Sequence, residues 1–82
     1  MTADQTVHDE IATALSQVLN RTVEIQGSTK IVEDLGMDSL AVMNFIMAIE
    51  DRYDISIPLD RVAQVETVDD LTRAIQQLGG KA

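Results

Sequence analysis

Apolar residues recur at intervals of three and four positions in three separate segments of this chain, and this spacing limits the fold to a packing of amphipathic helices. The first segment, from about residue 4 to 19, places on one face Val7, Ile11, Ala14, Leu15, Val18 and Leu19. The chain has 82 residues and no cysteine, so one small core must form without disulfides. We therefore expect a single domain over residues 1–82.

Two further helices are predicted downstream, at about 38–52 and about 67–78. Thr67 followed by Asp70 resembles a capping box, in which side chain and backbone at a helix start bond each other reciprocally. Gly79 and Gly80 supply a natural stop after the last helix. The apolar face of that helix consists of Val68, Leu71, Ala74, Ile75 and Leu78.

The connections between these helices differ in length. Residues 20–37 show no helical period and are predicted to form a long loop, whose apolar anchors are Val23, Ile25, Ile31, Val32 and Leu35. Pro58 returns the chain to extended geometry, and a short helix is predicted near 59–64. The expected fold is all-α, a small four-helix bundle of three main helices and a short third one.

The helix at 38–52 carries two apolar stripes. At about 100° per residue, one stripe comprises Val42, Phe45, Ile46 and Ile49, and the other comprises Leu40, Met43 and Met47. A domain this small has too little protein to wrap one helix on every side. We therefore expect the second stripe to be exposed for a partner, and flexible methionines suit a surface that meets several partners.

Charge narrows the choice of partner. Fourteen acidic and six basic residues give a net charge of −8, which disfavours nucleic acid and anionic membranes and favours basic protein surfaces. Glu50 and Asp51 crowd the end of the second main helix, where carboxylates oppose the helix dipole. The chain shows neither a targeting segment nor an apolar run long enough for a membrane span, which predicts a cytoplasmic protein without membrane insertion.

The chain contains few of the residue types that catalysis requires. His8 is the only histidine, and no phosphate-binding, metal-binding or catalytic-triad pattern is present, so neither a metal site nor a catalytic residue is expected. Ser39 opens the second main helix, where it is either an ordinary cap or a hydroxyl beside an anion site. Asp38 can take the cap, which would leave Ser39 available to another enzyme's chemistry.

Three stretches of sequence together resemble the acyl carrier protein family: "EDLGMDSL" at Glu33–Leu40, "AIEDRYDISIP" at Ala48–Pro58, and "VETVDDLTRAI" at Val65–Ile75. The resemblance implies that 4′-phosphopantetheine is covalently bound to Ser39, donated from coenzyme A by a Mg²⁺-dependent phosphopantetheinyl transferase. Asp38 would cap the helix and help to position the metal of that transferase reaction. The thiol of the arm would carry acyl groups as thioesters, so the protein would be a carrier and not an enzyme. We also expect it to be a monomer.

The same resemblance assigns two surfaces. The transferase and the acyl-loading and acyl-processing enzymes would read a surface that includes Met37, Asp38, Leu40, Met43 and Met47, while Glu50 and Asp51 would meet their basic residues. An acyl cleft would be lined by Ile49, Ile57, Val62, Val65, Leu71 and Ala74. These residues would also serve as plain core residues.

Several positions depart from the pattern of housekeeping fatty-acid carriers, namely Ala41, Asn44, Arg52, Leu59 and Ala63. These departures favour a specialised carrier for a polyketide, lipid or other secondary pathway. Two alternatives stay open. One is a peptidyl or aminoacyl carrier of a nonribosomal pathway, which the acidic Asp38 disfavours. The other is an unmodified acidic helical adaptor that docks through Leu40, Met43 and Met47.

Overall fold

The computed structural model describes residues 3–79, and this part of the chain forms five helices and no strand. The helices are α1 (Ala3–Leu19), α2 (Ile31–Leu35), α3 (Ser39–Tyr53), α4 (Leu59–Gln64) and α5 (Val68–Gln77). The three main helices predicted from apolar spacing are confirmed as α1, α3 and α5, and the short helix predicted near 59–64 is α4. None of these helices is both long and apolar enough to cross a membrane.

The core lies where α1 packs against α3 and α5. The apolar faces predicted for these three helices supply most of it, and each fully buried aliphatic or aromatic side chain contributes about 1.5–3 kcal/mol by leaving water. The most deeply buried large side chains are Ile11 and Leu15 of α1, Phe45, Ile49 and Tyr53 of α3, and Val68, Leu71 and Ile75 of α5. α3 is therefore held by one stripe only.

The segment predicted as a structureless loop contains α2, which corrects the sequence analysis. A helix of five residues is too short to show a period, so its apolar residues looked like isolated anchors. Val23 and Ile31 are buried as expected, and Ile25 and Leu35 are partly buried, but Val32 is 45% exposed and does not anchor the loop. Gly36 ends α2 in the left-handed region, at φ +64°, and its N–H donates to Val32 O.

The long connection is also fastened to the start of α5. Three backbone hydrogen bonds join the two segments: from Ile31 N to Glu66 O at 2.9 Å, from Val68 N to Thr29 O at 3.0 Å, and from Asp69 N to Gly27 O at 3.0 Å. The Lys30 ammonium lies between the carboxylates of Glu33 and Glu66, which raise the pKa of Lys30. These bonds fix α2 relative to α5 although α2 itself is only one turn long.

Candidate functional site

The turn between α2 and α3 determines where the second of these helices begins. After Gly36, the Met37 N–H donates to Val32 O at 3.1 Å, and Asp38 adopts an extended conformation, so that α3 starts at Ser39. Met37 is only 6% exposed and belongs to the core. Its expected place on the partner surface was therefore wrong, because its side chain turns inward and anchors the turn.

Asp38 is the N-cap of α3. Its Oδ1 accepts a hydrogen bond from Ala41 N at 2.8 Å, and its backbone oxygen accepts from Val42 N at 3.0 Å. Ser39 is exposed, and its hydroxyl has no hydrogen-bond partner among residues 3–79. The expectation that Asp38 takes the cap and leaves Ser39 free is confirmed.

The first amides of α3 are open. Within the described chain, the N–H groups of Ser39 and Leu40 donate to no acceptor, since the cap reaches only Ala41 and Val42. Unsatisfied N–H groups and the helix dipole make such an end favourable for a phosphate or other anion. The exposed hydroxyl of Ser39 thus lies beside a position where a negatively charged group is stabilised.

An open groove of about 510 Å³ runs along this helix start. Its lining comprises Val32 of α2, Met37, Asp38 and Ser39 of the turn, and Val42 and Met43 of α3. Apolar side chains predominate in this lining. A group attached to Ser39 would therefore begin between a polar helix end and an apolar channel.

The second stripe of α3 is on the surface. Leu40, Met43 and Met47 are 70%, 42% and 58% exposed. At the end of the helix, Asp51 is exposed, whereas Glu50 is half-buried and its Oε2 accepts a hydrogen bond from Ile57 N at 2.7 Å. Glu50 therefore fixes the loop after α3, and Asp51 is the freer of these two carboxylates to meet a cation.

The residues expected to line an acyl cleft are divided between the buried core and the surroundings of the short helix α4. Ile49, Ile57, Leu71 and Ala74 are buried. Val62 of α4 and Val65, the residue that follows α4, line a crevice of only about 40 Å³. Its other walls are Ile31, Val32, Val42, Phe45 and Ile46. Sequence reasoning missed those five, because two belong to the unrecognised α2 and three were assigned only to the core stripe of α3.

The remaining chemistry-bearing residues lie away from Ser39. His8 Nε2 on α1 is 3.4 Å from Asp69 Oδ1 on α5, so the histidine contacts α5 and not the serine. Residues 3–79 contain no group of three or more histidine, aspartate or glutamate side chains that could hold a metal ion. The site therefore offers one hydroxyl, open amides and an apolar groove.

Comparison with known proteins gives this arrangement a family. Residues 9–75 match the family described as "Phosphopantetheine attachment site". A probable acyl carrier protein of Caulobacter vibrioides is 52% identical over 73 residues, covering 89% of this chain and 85% of that protein. The acyl carrier protein of Wolinella succinogenes is 37% identical over 71 residues, covering 85% of this chain and 93% of that protein.

Solved structures agree. A putative acyl carrier protein from Mycobacterium tuberculosis superposes with a TM-score of 0.79 at 27% identity, covering 87% of this chain and 96% of that one. The holo acyl carrier protein of Geobacter metallireducens, at 24% identity, shares the fold with a TM-score of 0.78 and covers 88% of this chain and 84% of its own.

The fold and the matched region thus define a phosphopantetheine-bearing carrier domain. The chain belongs to the acyl carrier protein family. Its prosthetic group is 4′-phosphopantetheine, it acts as a carrier and not as an enzyme, and its role implies contact with modifying and acyl-processing enzymes.

Proposed function

We propose that Ser39 is the attachment point of the prosthetic arm. The observation that carries this proposal is the exposed, unbonded hydroxyl of Ser39 at the first position of α3, beside amides that Asp38 leaves open. The residues present fit the group, because a phosphodiester on Ser39 would place its charge at the helix start. Asp38 maintains that geometry because its carboxylate accepts a hydrogen bond from Ala41 N within the first turn of α3.

The loading step assigns a limited task to this chain. Ser39 Oγ forms the new bond to phosphorus while the phosphoanhydride bond of coenzyme A breaks and 3′,5′-ADP leaves. No described basic side chain contacts the Ser39 hydroxyl, so we expect the transferase to take its proton, and the Mg²⁺ of the transferase would neutralise the charge that develops on the phosphates. When bound, the group supplies a thiol that this cysteine-free chain lacks, and acyl groups are held on it as thioesters.

Intact mass tests the attachment point. The apo-protein is incubated with coenzyme A, Mg²⁺ and a broad-specificity phosphopantetheinyl transferase, with Ser39→Ala as the control. We expect one phosphopantetheinyl increment on the wild type and none on the variant. An equal increment on Ser39→Ala would move the site elsewhere, and no increment on the wild type with several transferases would favour the unmodified helical adaptor.

We infer that partner enzymes dock on the exposed stripe of α3, with Asp51 beside it meeting their basic residues. The stripe is an apolar surface rimmed by acidic charge, and the net charge of −8 attracts a cationic surface from a distance. Asp51→Lys should raise the KM of the transferase with little change in kcat. Glu24→Lys, an equal charge change at an exposed position before α2, is the matched control and should leave KM near the wild-type value.

We further propose that the crevice at Val62 and Val65 receives the start of an acyl chain. At about 40 Å³ the crevice is much smaller than the groove of about 510 Å³ at Ser39, so it would admit only the start of a chain without widening. α4 contributes no buried residue, so it is the wall that can move to admit more. Val65→Phe should change the hydrogen-exchange rates of the α4 amides in octanoyl-loaded protein. If these rates were the same as in wild type, the crevice would not be the receptor of the acyl chain.

The departures from housekeeping carriers support a specialised acyl carrier, and we propose separately that the protein is single-domain, monomeric and cytoplasmic. Leu59 at the start of α4 is 72% exposed, and Arg52 is committed to a pair with Glu10 of α1 instead of extending the acidic end of α3. Both features change the surface that a synthase would read. Measured transfer of fatty, polyketide and aminoacyl groups onto the loaded protein by the corresponding enzymes would rank these cargo classes.

A further inference from the structure

The groove at Ser39 has two apolar walls that come from different helices. Val32 of α2 is 45% exposed on one side, Met43 of α3 is 42% exposed on the other, and the buried Met37 closes the floor. Because α2 was predicted to be part of a loop, the wall formed by Val32 could not be recognised from the sequence. The groove therefore presents apolar surface within reach of the serine that lines it.

The occupant of this groove is constrained by its position. Because Ser39 is itself part of the lining, anything attached there is held at high effective concentration against Val32 and Met43. In 4′-phosphopantetheine the apolar part closest to the phosphate is the dimethyl-substituted carbon of the pantoyl unit. Two methyl groups gain free energy by leaving water for an apolar surface.

We propose that the α2–α3 groove is a binding site for the pantoyl segment of the arm, with its two methyl groups between Val32 and Met43. This inference rests on the proposed attachment at Ser39. The phosphate lies at the open amides of α3, and the pantoyl methyl groups extend from it over Met37 toward α2. The groove thereby selects one initial direction for the arm, toward α2 and away from the exposed Leu40.

The site is distinct from the crevice at Val62 and Val65. Val32 and Val42 line both cavities, whereas Ser39 lines only the open groove. The crevice would receive the distal, acyl end of a loaded arm. The groove would hold the proximal end whether or not an acyl group is present, so the proposal applies to the unacylated holo-protein.

Methyl NMR on the apo- and holo-protein tests the proposal. The probe is coenzyme A-derived 4′-phosphopantetheine, loaded enzymatically and verified by intact mass, on protein carrying ¹³C-labelled valine, leucine and methionine methyl groups. We expect nuclear Overhauser contacts from the pantoyl methyl protons to the methyl groups of Val32 and Met43. The resonances of these two residues should shift on loading, while those of Val7 in the core of α1 should not.

Matched substitutions locate the contact. Val32→Asn replaces one wall by a polar side chain, and Leu59→Asn makes the same kind of change at another exposed apolar position. Val32→Asn should abolish the contacts between the pantoyl methyl groups and Met43, whereas Leu59→Asn should preserve them. Met43→Gln, which keeps the side-chain length, should abolish the contacts with Val32 and guards against local unfolding of α2 as the explanation.

The outcomes separate this inference from the proposed function. A mass increment without contacts at Val32 and Met43 would overturn the groove and leave Ser39 as the attachment point. Contacts that persist in both Val32→Asn and Met43→Gln would overturn it as well. Absence of the mass increment from the wild type would instead remove the attachment on which the inference rests.

Discussion

The starts of α5 and α3 are both capped by a polar side chain, but they differ in which backbone N–H groups remain unbonded. At α5 the Thr67 hydroxyl accepts from Asp70 N, and the Asp70 carboxylate accepts in return from Thr67 N. The Val68 and Asp69 amides donate to backbone oxygens of the long connection, so each of the first N–H groups of α5 is bonded. At α3, Asp38 bonds Ala41 and leaves the amides of Ser39 and Leu40 open.

The difference separates a helix start that serves only the fold from one that leaves hydrogen-bond donors available to a ligand. The closed start of α5 ties the helix to the rest of the fold and has no capacity for a ligand. The open start of α3 also has a cap, which preserves the helix, but its first two amides and an exposed hydroxyl remain without hydrogen-bond partners in the described chain. Capping alone therefore does not identify a structural role, and the relevant observation is which N–H groups the cap leaves unbonded.

The largest effect on stability is expected at the closed start. Thr67→Ala removes the acceptor for Asp70 N and should lower the free energy of unfolding by about 1–2 kcal/mol. Because Thr67 does not line the groove at Ser39 and its side chain bonds only Asp70, the rate of phosphopantetheine loading should not change. Urea unfolding and loading kinetics on the same preparation measure the stability and the loading rate. A loss of loading without a loss of stability would contradict a purely structural role for the start of α5.

The turn before α3 is the next most sensitive position. Gly36 has φ +64°, and a Cβ there would meet no atom within 4 Å, so the cost of Gly36→Ala is conformational and not steric. We expect a loss of about 1–2 kcal/mol, since alanine resists the left-handed region. Gly36→Asn should recover part of that loss, because asparagine tolerates this conformation, and equal unfolding midpoints for the two variants would contradict this reason.

At the open start, stability and loading should fall together. Asp38→Ala should cost about 1 kcal/mol of unfolding free energy by removing the cap from Ala41 N. It should also slow loading, because the first turn that presents Ser39 then frays. Asp38→Asn retains a capping oxygen without the charge, so restored stability with persistently slow loading would assign the carboxylate a separate role toward the transferase.

The smallest effect concerns pH. Hydrogen bonds from Thr67 N and Glu66 N and from the Arg73 guanidinium lower the pKa of Asp70 from its ordinary value of 3.8. A depressed pKa means that this carboxylate contributes stability above 3.8, and that the contribution disappears as pH falls through the folded-state value. The difference in unfolding free energy between wild type and Asp70→Asn should therefore be largest near neutral pH and shrink in acid. A difference that stays constant from pH 7 to pH 3 would exclude this linkage.

Sequence alone predicted the parts of this fold whose signals are periodic or local. The apolar faces of α1, α3 and α5 repeat over several turns, and the pair Thr67 and Asp70 is a local motif, so both were recognisable without contacts. The exposed stripe of α3 also followed, because the small size of the chain left no protein to cover it. At the site, the cap by Asp38 and the free Ser39 were predictable for the same local reason.

Features that depend on non-local packing were missed. α2 is a single turn, and its position comes from bonds to residues near the start of α5, far along the chain. Met37, a lone apolar residue between Gly36 and Asp38, has no neighbours in a repeat that would indicate which way it points. The crevice combines side chains of α2, α3 and α4, so its composition was unavailable until α2 was known.

The burial of Met37 affects how far a group attached at the start of α3 could reach. A tethered group explores a volume centred on its point of attachment, and that centre is steady only if the attachment residue is steady. Because Met37 is packed in the core two positions before Ser39, an arm attached at Ser39, as proposed, would pivot from a fixed origin. An enzyme that docked on the exposed stripe of α3, as proposed, would thereby also fix the sphere within which the thiol could be delivered.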